Sequence, residues 1–274
     1  MKPLYGIRVL NLAVNLPGPA AAQRLQRLGA AVTKVEPATG DPMELYHAQW
    51  YRDMNEGHTV VRLDLKAAEG RAPLDALLAE TDLLISASRP AAMDRLGLGW
   101  ELLHRTHPRL CQVAITGFPA PRENEAGHDL TYQASLGLVI PPHMPRTLMA
   151  DMAGAAQAVT AALALLLGRE RGDEAGYAEV PLSEAAAAMA EPLRYGITAK
   201  AAILGGGVPE YNIYQTSEGW VAVAALEPHF KKRLEAELGV SGIEQYQAAF
   251  AARSAAQWQE WGQELDIPII VVLP

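Results

Sequence analysis

The chain has 274 residues, 50% of them hydrophobic and 20% charged, with a formal net charge of -8. That composition belongs to a folded globular protein rather than a disordered or fibrous one, and the length allows one large domain or two ordinary ones. The acidic balance, with no Lys/Arg-rich stripe to offset it, argues against nucleic acid and against anionic membrane as partners.

A single cysteine, Cys111, excludes an intramolecular disulfide framework and a zinc site built from several thiolates. The start runs straight into a strand-like stretch without the long apolar region that secretion needs, which predicts a cytoplasmic location. In chain order, residues 7–12 read as a strand and 18–28 as a helix with Ala22, Leu25 and Leu28 at helical spacing. Gly29 ends that helix, and 31–35 makes a second strand. Further alternation follows, with strands expected at 59–65, 83–87 and 110–115 and a helix at 67–79. Such alternation predicts a mainly parallel sheet flanked by helices, because a parallel pair needs a crossover and the crossover is usually helical. The large domain is therefore expected to be α/β and Rossmann-like.

Residues 151–170 form a long alanine- and leucine-rich helix on this reading, with Arg169 and Arg171 suited to the negative end of its dipole. Its most apolar part, 153–167, is interrupted by Gln157 and Thr160 and falls short of the roughly 20 residues a bilayer requires, so a buried helix is predicted. A second alanine-rich helix is expected at 183–201, and Gly205, Gly206 and Gly207 look like a linker. Beyond it, 211–215 and 220–224 alternate like strands around Thr216-Ser217-Glu218-Gly219, which predicts an antiparallel hairpin. Helices at 228–238 and 255–265 and a strand at 267–273 complete a smaller α+β domain. The expected division is a large α/β domain over 1–204 and a small one over 205–274.

Standard signatures are missing: there is no G-x-S-x-G elbow, Walker phosphate loop, H-E-x-x-H, or G-x-G-x-x-G after the first strand. His104 and His107 sit three apart without nearby carboxylate or thiol ligands, so no metal site is expected there. What remains is a series of phrases. Gly6-Ile7-Arg8-Val9-Leu10, Leu16-Pro17-Gly18-Pro19 and Leu28-Gly29-Ala30-Ala31-Val32-Thr33-Lys34-Val35-Glu36 are followed by Gly40-Asp41-Pro42 and Leu63-Asp64-Leu65-Lys66. Then come Arg89-Pro90, Arg95-Leu96-Gly97-Leu98-Gly99, Ile115-Thr116-Gly117-Phe118, Gly127-His128-Asp129-Leu130, the Asp151 helix, Tyr211-Asn212-Ile213-Tyr214 and Ala225-Leu226-Glu227-Pro228. In this order and at these spacings the chain resembles the family III CoA-transferase family, which includes the 2-methylacyl-CoA racemases.

The resemblance implies an enzyme that binds no cofactor permanently and takes coenzyme A, as an acyl-CoA thioester, together with a small carboxylic acid. It makes Asp151 the catalytic carboxylate, which would attack the thioester carbonyl and form a mixed anhydride. From the residues alone, an Asp before an alanine-rich helix is an ordinary N-cap, a place that also favours the ionised form. In the racemases of the family the His of Gly-His-Asp and the helix-start Asp exchange the α-proton of the thioester, and here these are His128 and Asp151. An imidazole suits that task because it titrates near neutrality; its bland alternative is a helix cap. Glu227 matches a racemase position that supports the histidine, from the same chain or from the partner subunit, with an ordinary helix-start acid as the alternative. For coenzyme A, Arg89 follows a parallel strand at its carboxyl end, where open α/β sheets bind ligands. Pro17, Gly18, Lys34, Gly40 and Asp41 are the other expected contacts, and turn chemistry alone is the competing account of the loop residues.

Two departures stand out. Where the family carries a basic pair, this chain reads Asn55-Glu56-Gly57-His58-Thr59, which removes charge-assisted phosphate contacts. Family chains also continue well past the equivalent of Pro274 and interlock in pairs as rings. The expectation is thus a homodimer of a short form, or a chain whose missing part another polypeptide supplies, with a non-catalytic CoA-binding paralogue as the reading from another class.

Overall fold

The computed structural model describes residues 1–273. The chain forms two compact units, one from Met1 to Met189 and one from Ala190 onward. The first unit contains β1 (Arg8–Asn11), α1 (Pro17–Arg27), β2 (Ala31–Glu36), α2 (Pro42–Tyr46), α3 (Ala48–Asn55), β3 (Thr59–Arg62), α4 (Ala68–Ala79) and β4 (Leu83–Ser86). It continues with α5 (Pro90–Arg95), α6 (Trp100–Thr106), β5 (Cys111–Thr116), α7 (Asp129–Ser135), α8 (Met149–Glu170), β6 (Tyr177–Pro181) and α9 (Leu182–Met189). Its strands form one sheet in the order β3-β2-β1-β4-β5-β6, and every pair is parallel.

The alternation of side chains along each strand divides the core in two. Val9, Leu83, Ile85, Val113 and Ile115 pack with Ala21, Leu25, Ala158 and Ala162 of α1 and α8. Leu10 and Leu84, one residue out of phase, pack with Leu74, Leu78, Met93 and Leu103 of α4, α5 and α6. Both faces being covered explains why these strands read as continuous apolar runs. Helix α8 is apolar nearly all round. By length and composition it is the one helix among the described residues that could cross a membrane, and it packs instead against α1, α7, α9, β5 and β6.

The second unit holds α10 (Glu191–Arg194), the hairpin β7 (Tyr211–Gln215) and β8 (Trp220–Ala224), the helices α11 (Pro228–Leu238), α12 (Ile243–Phe250) and α13 (Ala255–Glu264), and β9 (Ile269–Val271). Strand β9 pairs antiparallel with β8, making a three-stranded sheet of order β7-β8-β9. Its core is aromatic. Phe250 stacks on Tyr214 at 4.8 Å and meets Trp258 edge-on at 4.8 Å, and the Trp258 indole N–H donates to the Phe250 carbonyl.

Several expected boundaries move. The helix expected over 183–201 ends at Met189, because Pro192 has no N–H to continue the ladder and Gly196 then turns the chain at φ 78°. The division between units accordingly falls after Met189, not at the glycines 205–207. The last strand is confined to Ile269–Val271, whereas β6 and α12, which carry mixed polar and apolar residues, were not apparent from periodicity.

Candidate active site

The strand order reverses direction between β1 and β4, and ligands of open α/β sheets sit outside the carboxyl ends of the strands at such a point. A cleft of about 300 Å³ lies there. Val14, Asn15 and Pro17 line it after β1, Ala87 and Arg89 after β4, Thr116 and Gly117 at the end of β5, and Leu182 after β6. Its remaining wall comes from Glu125, Ala126, Gly127 and His128 on the loop before α7, from Tyr132 on α7, and from Asp151 on α8.

The loop after β1 is held in an uncommon shape. Asn15 adopts φ 70°, a left-handed conformation that Asn tolerates better than most residues, and its N–H donates to Asp41 Oδ1 at 2.8 Å. Gly18 opens α1 where a Cβ would stand 2.1 Å from the Ala13 Cβ, so glycine is required there by packing. Asp41 caps α2 by accepting the Met43 N–H. Gly40, at φ 80°, makes the turn before it.

Lys34 differs from its expected role. Its side chain is enclosed and paired with Glu36 at 3.0 Å and with Asp41, so its ammonium is an internal counter-ion. Nor does His58 supply the charge of the basic pair that the family carries at this place. Burial, and secondarily the Lys34 charge, push its imidazole down to about 4, and it is neutral at physiological pH. Among the described residues, Arg89 is the cation that lines the cleft, and its guanidinium takes no ion pair.

Asp151 is the third residue of α8, which starts at Met149; it is therefore not an N-cap. Its N–H donates to Asp129 Oδ1 at 3.1 Å, so the cap of this turn comes from the start of α7. The Asp151 carboxylate itself takes no hydrogen bond or ion pair among the described residues. Burial, and after it the Asp129 charge, raise its pKa from 3.8 to about 6, contrary to the lowering expected of a helix tip. The backbone of His128 is fixed by Thr131, whose Oγ1 accepts the His128 N–H and donates to the His128 carbonyl. Its ring is exposed at the cleft.

Tyr132 went unremarked in the sequence, although it lies one helical turn beyond His128. Its phenol is buried against Phe118, and a Cβ on Gly117 or Gly127 would meet the Tyr132 hydroxyl at 2.6 and 2.5 Å. Burial, with the Asp151 and Asp129 charges behind it, pushes this phenol up, so it stays a proton donor. The structure thus gathers Asp151, His128, Arg89 and Pro17 in one cleft and puts Asp41 and Gly18 behind it. Glu227 lies in the second unit, exposed at the start of α11.

A parallel sheet with a free carboxylate, an imidazole and one arginine at its switch point defines an α/β protein built to hold a ligand there. The chain belongs to CoA-transferase family III, whose pattern matches residues 4–271. It is 29% identical over 266 residues to the succinyl-CoA–D-citramalate CoA-transferase of Chloroflexus aurantiacus, covering 87% of this chain and 65% of that protein. With the human alpha-methylacyl-CoA racemase it shares 29% over 305 residues, 98% of this chain and 78% of the racemase. The crystal structure of the hypothetical protein Rv3272 from Mycobacterium tuberculosis superposes with a TM-score of 0.88 at 25% identity, covering all of this chain and 85% of that one. The chain thus spans less than two thirds of the length of the transferase.

Proposed function

We propose that this cleft receives the thioester end of an acyl-CoA and that Asp151 passes the CoA between carboxylic acids. The observation that carries the reading is a carboxylate without partners, fixed by its backbone at the first turn of α8 and lining the cleft. Attack of its oxygen on the thioester carbonyl forms the C–O bond of an aspartyl acyl anhydride, breaks the C–S bond and releases CoA as thiolate. The thiolate then attacks the Asp151 carbonyl carbon and expels the first acid, leaving an aspartyl-CoA thioester. The carboxylate of the second acid displaces the thiolate to form a new anhydride, and attack of the thiolate on the new acyl carbon releases the second acyl-CoA and frees Asp151. Arg89 supplies charge for the CoA phosphates at the cleft wall. A homodimer in the cytoplasm belongs to the same proposal, whereas Glu227, supplied by the partner subunit as a support of the His128 imidazole, belongs to the racemase reading below.

Racemisation of a 2-methylacyl-CoA is the second reading, favoured by one observation: His128 lines the same cleft as Asp151. One group would remove the α-proton and the other return a proton to the carbon. Incubation with a chiral 2-methylacyl-CoA and an acceptor acid in deuterated water separates the two. CoA transfer without deuterium at the α-carbon is expected; deuterium uptake without transfer would replace the first reading with the second. Asp151→Asn should lose at least about 100-fold in turnover while calorimetry still detects CoA binding. Absence of CoA binding in the unaltered protein would sink both readings.

A further inference from the structure

Asp129 is 5% exposed, and both of its oxygens are engaged. Oδ1 accepts the Asp151 N–H at 3.1 Å and Oδ2 accepts from the Gln133 side-chain amide. Gln133 is itself 1% exposed and donates as well to the Thr147 carbonyl at 3.0 Å, on the segment leading into α8. The carboxylate is therefore locked between α7 and α8 and cannot swing to solvent. Among the described residues no Lys, Arg or His pairs with it.

We infer that Asp129 is a positioning residue for Asp151: its carboxylate pins the first turn of α8 and holds a negative charge against the reactive carboxyl. The inference rests on the reading of Asp151 as that reactive group. A free N–H at the helix start would normally stabilise the ionised form of an acid at this position. Asp129 occupies the Asp151 N–H, so the benefit of that donor goes to Asp129, while Asp151 is left with burial and like-charge repulsion. The effect is a carboxylate more basic than an ordinary aspartate yet ionised at neutral pH, which suits both attack on a thioester and proton transfer.

The other groups facing the cleft do not substitute for it. His128 and Tyr132 come from α7 and its cap, Glu125 from the preceding loop, and Arg89 from the start of α5. Glu125 is engaged by Arg122 in a two-pronged ion pair. Helices α1 and α9 contribute Pro17 and Leu182, and β5 contributes Thr116 and Ile115, none of which titrates in the working range.

The test is Asp129→Asn, which keeps an oxygen for the Asp151 N–H and removes the charge. The Asp151 carboxyl titration is followed by carbon-13 NMR in the unaltered and variant proteins, alongside the pH profile of kcat/KM. The Asp151 midpoint should fall by about half a pH unit or more and stay above 3.8, because burial is the larger cause and persists. The acidic limb of the rate profile should move the same way. A merely structural role would lower activity at every pH without moving the limb, and an unmoved or raised midpoint in a folded variant overturns the inference. Asp129→Ser, which also accepts a hydrogen bond without charge, serves where the asparagine variant fails to fold. Since the NMR titration needs no turnover, absence of CoA transfer would count against the proposed function and leave this comparison readable.

Discussion

Burial makes Asp151 useful and costs the fold some stability. Because its pKa is raised on folding, the folded state binds the proton more tightly than the unfolded chain does. The stabilising contribution is therefore full below pH 3.8 and is lost as the pH rises past about 6. That rise corresponds to no more than about 3 kcal/mol. Asp151→Asn mimics the protonated form, so at pH 8 it should be more stable than the unaltered protein by about 1–3 kcal/mol, with the difference closing toward pH 4. Urea titrations at the two pH values check this, and a variant less stable at pH 8 would contradict the placement of Asp151 described above.

At the scale of elements, the cleft depends on how closely α1 approaches the end of β1. A methyl group on Gly18 would stand 2.1 Å from the Ala13 Cβ, and Ala13 has no flexible side chain with which to yield. Gly18→Ala should therefore lower stability by roughly 1–3 kcal/mol through overpacking, measured by denaturant unfolding. Should the alanine variant instead keep full stability and lose only CoA affinity, Gly18 would be a ligand contact after all.

At the scale of the molecule, each unit has its own core. Phe250 is fully buried in the second one, between Tyr214 and Trp258. Phe250→Ala should cost that unit about 3–5 kcal/mol and raise hydrogen exchange first in β7 and β8, while β4 and β5 remain protected. Equal loss of protection in both sheets would show that the two cores unfold as one.

What could be read from the residues in order was whatever local pattern encodes. The apolar runs at β1, β4 and β5, the helical spacing of α1 and the hairpin around Thr216 to Gly219 were legible because period and turn chemistry are properties of neighbours along the chain. His128 and Asp151 were picked out by likeness to a family, and the structure places them in one cleft. Contacts between distant segments were not legible. Asp41 reaches Asn15 across 26 positions, and Asp129 reaches Asp151 across 22. Lys34 stands among the expected coenzyme A contacts, and only the folded chain encloses it between Glu36 and Asp41. The sequence by itself determined the parallel α/β architecture and the residue types available for chemistry. The tertiary structure decided which of those charges face the cleft and which cancel one another inside the protein, because pairing and desolvation depend on neighbours brought together by folding.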